Sequence, residues 1–525
     1  MTFQVHSDLR ALVIEHPNPA VVLQMIPTAF SLGGNKIGMP HGIDETIRLG
    51  LLQINVPSPI EYYYGWPRDK TIIPTPFVHQ ITTSAFFCTN PRAYCFSSIG
   101  VGKTLSAAWA ADYLISTGDV HAVLIVSTIS SLERTWGDTL FINFQHRRFQ
   151  ILHGDAKKRR RLLAQPADYY VINYAGVAVL QKELAARPDI DLVILDESAE
   201  CGKKNTNLWK SLQEFMYPEK KKPVPRVWAM TATPIPNSPL DAFPQAKLVT
   251  PSTVPQFFGQ WRSMVMDKQS LYTYTPRPEA TAIVYQSLRP SIRFKRDDCM
   301  DLPPVLYSTR DVELSAEQKQ HYKNISKEFH TIINDAKVTA VNEGVQLGKL
   351  LQVACGCVYA SDGSPQEIDA GNRIEVLMEI IEQCNERCIV FVPYTAVTAM
   401  LVRKLNVHWN FAVVTGDTSP AERNKIFSAF QSKDADIDIL AHPQCMAHSL
   451  TLTEASTIIW FAPVHSNRVY EQANGRITRA GQKYTANIIH LAGSAVERRM
   501  YKRLEQRQSS QGLLLTMVES KENFV

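Results

Sequence analysis

The sequence predicts an α/β protein of two doubly wound, parallel-sheet lobes with a helical insert between them and a small α+β module in front. Three observations lead there. Short apolar runs rich in β-branched residues alternate with helical stretches over residues 73–262, the same alternation returns over residues 366–505, and the rhythm lapses between the two. Strands that are apolar throughout, rather than every second residue, belong to sheets covered on both faces. A chain of 525 residues also exceeds one ordinary core.

Residues 1–72 stand apart. In RALVIEHPNPAVVLQMI, strand-like runs flank the turn signal His16-Pro17-Asn18-Pro19, which predicts a hairpin. Gly33-Gly34 and Pro40 punctuate the next stretch, a short helix is expected from Asp44, and Pro57, Pro59 and Pro67 suggest an extended connector. In the first lobe the strand candidates are Tyr94–Ser97, Ala122–Ser127, Tyr169–Asn173, Leu192–Leu195 and Val227–Met230. In the 263–365 insert, Ser315 and Gln318 form a capping box that opens a long helix toward Ala336. The second lobe offers Cys388–Val392, Phe411–Thr415, Ile437–Leu440, Thr457–Phe461 and Ala486–His490. Within it Ser419-Pro420-Ala421-Glu422 supplies an N-cap, a proline at the first helical position and an acid two residues later, so a helix is expected through Phe430. Residues 506–525 read as a polar tail.

Net charge of +5 permits a nucleic-acid partner without demanding one. Nine cysteines without framework spacing suit a reducing compartment. Cys355 with Cys357, Cys384 with Cys388, and His442 with Cys445 and His448 lack the paired spacing of structural zinc ligands. MTFQVHSDLR carries no basic and apolar leader pattern, and no run approaches membrane-spanning length, so a cytoplasmic protein is expected.

The chemistry concentrates at two strand ends. AYCFSSIGVGKTLSAAWAADYL, residues 93–114, reads as strand, glycine turn and alanine-rich helix. Gly100 and Gly102 let backbone N–H groups turn inward on an anion, the helix N-terminus adds positive potential, Lys103 reaches the β- and γ-phosphates, and Thr104 offers its hydroxyl to magnesium. Downstream, LVILDE ends an apolar strand in two acids, with Asp196 expected to hold magnesium and Glu197 to polarise water as a general base. ATP and Mg²⁺ are thus the ligands expected.

The strand VWAMTATP at 227–234 ends in two hydroxyl residues, and here the chain resembles superfamily-two helicases and translocases, of the Swi/Snf-type branch in its phage- and bacteria-encoded form. The resemblance rests on His79-Gln80, GVGKT at 100–104, DESAECGKKNT at 196–206, MTATPIPNSPLDAF at 230–243, DDCMDLPP at 297–304 and QANGRITRAGQ at 472–482. It implies two RecA-like lobes sharing one nucleotide. It further implies that Gln80 reads adenine, that Thr231, Thr233 and Gln472 belong to the motifs coupling hydrolysis to lobe movement, and that Arg476 and Arg479 face the γ-phosphate. The chain departs from the family at Ala199, where relatives carry His or Ser able to relay a hydrogen bond. It departs again at 442–452, where Ala447, Ser449 and Thr451 replace glycines and a Leu-Asn-Leu.

The expected activity is therefore that of an ATP-dependent motor on DNA, duplex or branched, with replication or recombination proteins as further candidate partners. A strand-separating helicase, and a non-catalytic binding factor with structural nucleotide, are the alternatives. Lys157-Lys158-Arg159-Arg160-Arg161 and Lys220-Lys221-Lys222 are candidate backbone-tracking runs or solvated faces.

Overall fold

The computed structural model describes residues 2–67, 75–201, 207–217, 225–235, 238–269, 274–299, 303–334, 340–359, 364–384, 386–432, 436–446, 452–479 and 481–506. The chain divides into two compact units, Met1–Cys299 and Met300–Val525.

The first unit opens with a four-stranded antiparallel sheet of β1 (Phe3–His6), β2 (Ala11–Glu15), β3 (Phe30–Gly33) and β4 (Lys36–Pro40), ordered β1-β2-β4-β3. The hairpin expected around His16–Pro19 is not formed. VVLQM lies instead in a helix, Pro19–Met25. Pro19 sits in its first turn, where a fixed φ near −65° and a missing N–H cost nothing, and the branched residues give a helix its buried side at Val22. The turns lie elsewhere, at Ser7–Arg10 and at Gly33-Gly34, whose positive φ of 96° and 58° only glycine adopts freely. A helix covers Ile43–Leu51 as expected near Asp44.

The proline-rich connector carries an aromatic clasp. Tyr64 donates its hydroxyl to Asp112 Oδ2 at 2.7 Å, and Trp66 meets Trp109 edge-on with centroids 5.7 Å apart. The N-terminal module is thereby packed on the helix Lys103–Thr117 of the following sheet.

That sheet contains β5 (Arg92–Cys95), β6 (Ala122–Ser127), β7 (Phe149–Ile151), β8 (Tyr169–Asn173), β9 (Ile190–Asp196) and β10 (Arg226–Met230). A short hairpin of β11 (Met266–Lys268) and β12 (Tyr274–Pro276) comes next, and β13 (Ser291–Ile292) then returns to the sheet edge. The order is β13-β5-β10-β9-β6-β8-β7, with every pairing parallel. Alternate residues feed two cores: Leu124, Ile172, Val193 and Ala229 pack on one face, and Ile125, Val171, Ile194 and Trp228 on the other. This double burial is why the strands read as continuous apolar runs.

In the second unit β14 (Val305–Asp311) is succeeded by the helices Ala316–Asn334 and Ala340–Ala354, then by a β15 (Cys357–Tyr359) and β16 (Pro365–Glu367) hairpin. The capping box is present: Gln318 Oε1 accepts from the Ser315 N–H at 2.9 Å, and the Ser315 hydroxyl accepts from the Gln318 N–H at 3.2 Å. Thereafter β17 (Arg387–Phe391), β18 (Phe411–Val414), β19 (Asp438–Ala441), β20 (Ala455–Trp460) and β21 (Ala486–Ala492) join β14 in the parallel order β14-β21-β20-β17-β19-β18. The 263–365 stretch thus supplies one strand to each large sheet besides its helices. Ser419 caps the helix Pro420–Gln431 through its hydroxyl, as the sequence predicts.

A buried ion pair fastens the second unit. Arg373 Nη2 donates to both carboxylate oxygens of Glu497 at 2.7 and 2.9 Å, its Nη1 donates to the Phe461 carbonyl at 2.7 Å, and the two side chains are 1% and 0% exposed. Removing one member strands the other charge in an apolar interior, at a cost of about 3–5 kcal/mol. Glu497→Ala is therefore expected to destabilise the second unit by that amount in urea unfolding, whereas Arg498→Ala, whose partner Asp311 is exposed, changes its stability by under about 1 kcal/mol.

Candidate nucleotide site

Parallel pairing sets β5, β9 and β10 side by side with Cys95, Asp196 and Met230 in register. The segments leaving these three strands therefore emerge together at one sheet edge, where ligands of open α/β sheets bind.

After β5 the chain turns through Gly100 and Gly102, at φ of 86° and 82°, into the helix Lys103–Thr117. A Cβ at Gly102 would also meet Gln80 Nε2 and oblige that amide to move. Gln80 is itself fixed, its Oε1 accepting from the Phe77 N–H at 2.9 Å at the start of the helix Val78–Thr89. The neighbouring His79 ring meets the Val101 carbonyl through Nε2 at 2.9 Å and stacks on Phe77. Lys103 Nζ folds back on the loop, donating to the Ser97 and Ser98 carbonyls at 2.7 and 2.9 Å. Thr104 stands half-buried in the first helical turn. The segment 291–294 braces the loop from the sheet edge, Phe96 and Ser98 donating their N–H groups to Ile292 and Phe294 carbonyls at 2.9 Å.

Asp196 ends β9. Its Oδ2 accepts from the Ser127 hydroxyl and from Trp136 Nε1, each at 2.9 Å, and the Tyr174 hydroxyl donates to its carbonyl at 2.8 Å. Trp136 lies in a wide, π-type turn over Leu132–Gly137, from which its indole N–H meets the carboxylate. Burial, and then the charge of Glu197, push the Asp196 carboxyl up to about 6, against the opposing pull of Trp136, Ser127 and Lys103. Glu197 adopts φ 55°, an unusual conformation for a residue with a side chain. Thr231 Oγ1 approaches Glu197 Oε2 at 3.4 Å and accepts from the Thr233 N–H at 3.2 Å. Ala199, in the turn Ser198–Cys201, contributes no polar side-chain group.

Two adjacent acids beside a lysine and a glycine turn suit a divalent cation carrying a polyphosphate: the cation offsets the charge that burial disfavours, and the turn presents N–H groups to the anion. Asp196 and Thr104 carry the oxygen donors that would hold such a cation.

In the second unit Gln472 lies on the helix Asn467–Asn474, and Arg476 and Arg479 come after it. Arg476 Nε donates to the Gln472 carbonyl at 2.9 Å and Arg479 Nε to the Gly475 carbonyl at 2.8 Å, so the turn that follows the helix is tied back to its last residues. Trp460 Nε1 at the end of β20 donates to Asn474 Oδ1 at 2.8 Å and fixes that stretch to the sheet.

The run Lys157–Arg161 lies on the helix Ala156–Leu163 and is not a uniform basic face. Arg159 is buried, donating to the Gly154 and Leu152 carbonyls and to Asn173 Oδ1 at 2.7–2.9 Å, and Arg160 pairs with Glu183. Lys157, Lys158 and Arg161 are exposed. Lys220–Lys222 lies outside the described residues, as do Ala447, Ser449 and Thr451. Ser127, Trp136 and Tyr174 are site residues that sequence reasoning missed. Each is distant in sequence from Asp196, and none sits in a glycine- or acid-rich pattern that would single it out.

The family described as SNF2-related domain matches residues 95–355, and that described as Helicase conserved C-terminal domain matches residues 372–481. The protein p41 of Acyrthosiphon pisum secondary endosymbiont phage 1 is 23% identical over 494 residues, covering 86% of this chain and 100% of p41. The ISWI chromatin-remodeling complex ATPase CHR11 of Arabidopsis thaliana is 21% identical over 447 residues, covering 79% of this chain and 40% of that one. The chain thus spans the whole of the phage relative but about two fifths of the plant one. Among solved structures, the Sulfolobus solfataricus SWI2/SNF2 ATPase core in complex with dsDNA is 18% identical, covering 88% of this chain and 96% of that one at a TM-score of 0.38.

Because Asp196 is held above its ordinary carboxylate range, its ionised form costs stability at neutral pH, and that cost fades as pH falls through about 6 toward the unfolded value. Asp196→Asn is accordingly expected to raise Tm at pH 8 and to have little effect at pH 4.5. Differential scanning calorimetry at the two pH values checks this.

Proposed function

Since the chain belongs to the Swi/Snf-type branch of the superfamily-two helicases, we propose that it is an ATP-driven motor that translocates on duplex DNA and remodels what it meets. The observation that carries the proposal is the meeting, at one sheet edge, of the glycine turn with Lys103 and the acid pair Asp196 and Glu197. Gly100, Gly102 and the N–H groups of the following helix bind phosphate oxygens, and Gln80, packed against Gly102, reads the base. Magnesium, when bound, supplies positive charge against the phosphates. Glu197 accepts the proton of the attacking water. Lys103 exchanges its carbonyl partners for phosphate oxygens as the nucleotide enters.

Arg476 and Arg479 are proposed to neutralise the developing γ-phosphate charge, a contribution worth about 10³–10⁵ in rate in phosphoryl-transfer enzymes that use such an arginine. Gln472, Thr231 and Thr233 are proposed to link that event to movement. Duplex DNA as the track is supported by the likeness to a chromatin-remodeling ATPase and by the exposed Lys157, Lys158 and Arg161. The full-length match to a phage protein supports action in the cytoplasm of a bacterial or phage-infected cell.

Lys103→Ala is expected to abolish DNA-stimulated ATP hydrolysis in a phosphate-release assay, and Arg479→Ala to lower kcat by about a thousandfold or more. Displacement of a third strand from a triplex by the wild-type protein tests translocation. Unwinding of forked duplexes without triplex displacement would make the protein a strand-separating helicase instead. Tight ATP binding without turnover, with or without DNA, would make it a binding factor.

A further inference from the structure

A buried amide outside the proposed catalytic set joins the two strand ends. Ser198, the residue after Glu197, donates its hydroxyl to Gln245 Oε1 at 3.0 Å. Gln245 Nε2 in turn donates to the Pro234 carbonyl in the segment leaving β10, and to the Asp241 carbonyl at 3.2 Å. Both Ser198 and Gln245 are 1% exposed. The amide orientation is dictated by chemistry alone: two carbonyl oxygens can only accept, so the NH₂ faces them, and the amide oxygen is left for the serine hydroxyl.

Gln245 lies on the helix Ala242–Val249 among Phe243, Ala246 and Leu248, all buried. A polar amide in such surroundings is tolerated only when its bonding capacity is met, and once met it holds its partners in one arrangement. The partners are the two segments whose relative position matters to a motor, namely the turn after the acids and the Thr231–Pro234 stretch. Two features concentrate this role on Gln245. One direct approach between the segments, Thr231 to Glu197, is long at 3.4 Å, and Ala199 offers no side-chain hydrogen bond beside Ser198.

We propose that Gln245 is a positioning residue that transmits changes at Glu197, through Ser198, to the Pro234 segment, and so couples the state of the nucleotide to the response to DNA. The proposal rests on the motor reading above. Glu197 sits at a positive φ, so a change in what its carboxylate touches is relieved by rotation of the adjoining peptide, and that peptide carries Ser198.

The test uses the full chain carrying Ser198→Ala, Gln245→Met or Gln245→Glu, the double variant Ser198→Ala with Gln245→Met, and Lys103→Ala. Gln245→Glu retains an acceptor for Ser198 but faces Pro234 with an oxygen. The measurement is the ratio of duplex-stimulated to DNA-free kcat, alongside KM for ATP and Tm. Each single variant is expected to lower the ratio about three- to tenfold, the worth of one buried hydrogen bond, with KM for ATP unchanged. The double variant is expected to fall no further than the worse single one, because both break one chain. A merely structural role would lower Tm and leave the ratio intact, and that result overturns the proposal. So does a multiplicative loss in the double variant, or wild-type behaviour of Gln245→Glu. If Lys103→Ala abolishes hydrolysis while the single variants keep the ratio, the relay alone fails. Hydrolysis that survives Lys103→Ala, or a wild-type rate that DNA does not stimulate, overturns both readings.

Discussion

Two carboxylates at the tip of a buried strand set the terms for everything around them. Asp196 is partly withdrawn from water by β9 and its neighbours, and its charge is opposed by that of Glu197. Such a pair persists only where donors and cations are arranged about it. Ser127 and Trp136 supply hydrogen bonds to Asp196, and Lys103 supplies charge. On the proposed reading a divalent cation would offset the remaining deficit, so the same desolvation that weakens the fold would favour a charged ligand.

That constraint reaches outward through the sheet. Parallel pairing brings the ends of β5, β9 and β10 to one edge, and with them the glycine turn, the acids and the Thr231–Pro234 segment. The supporting shell works through uncharged groups, side-chain amides and backbone carbonyls. Gln80 closes on Gly102, segment 291–294 braces the loop, and Gln245 joins the turn at Ser198 to Pro234. Each commits buried hydrogen-bonding capacity to holding backbone in place.

Charge is used differently elsewhere in the chain. The buried Arg373–Glu497 pair closes the second unit by setting two opposite charges against each other in an apolar setting. Arg159, within a run that looks like a nucleic-acid contact, is consumed by carbonyls and Asn173 and works as an internal tie. A run of cations in sequence says how many charges are present; their burial decides how many can face a partner.

Much of the fold was legible in the chain. The apolar runs seen as β6, β8, β9, β10, β17 and β20 were readable because both-face burial leaves no polar alternation to confuse them. Helix starts at Ser315 and Ser419 were readable because caps act within four residues. The hairpin around Pro17 was misread because branched apolar residues suit strand and helix alike, and the proline at the start of a helical turn decided between them. Among the site residues, local pattern marked the glycine turn, Lys103, Asp196 and Glu197, since their chemistry depends on neighbours in sequence. Ser127, Trp136, Tyr174 and Gln245 carried no such mark. Their partners at the acid turn lie tens of residues away, and those distances close only through the order in which strands assemble into a sheet, which is fixed by packing of the whole unit and by no segment of it alone.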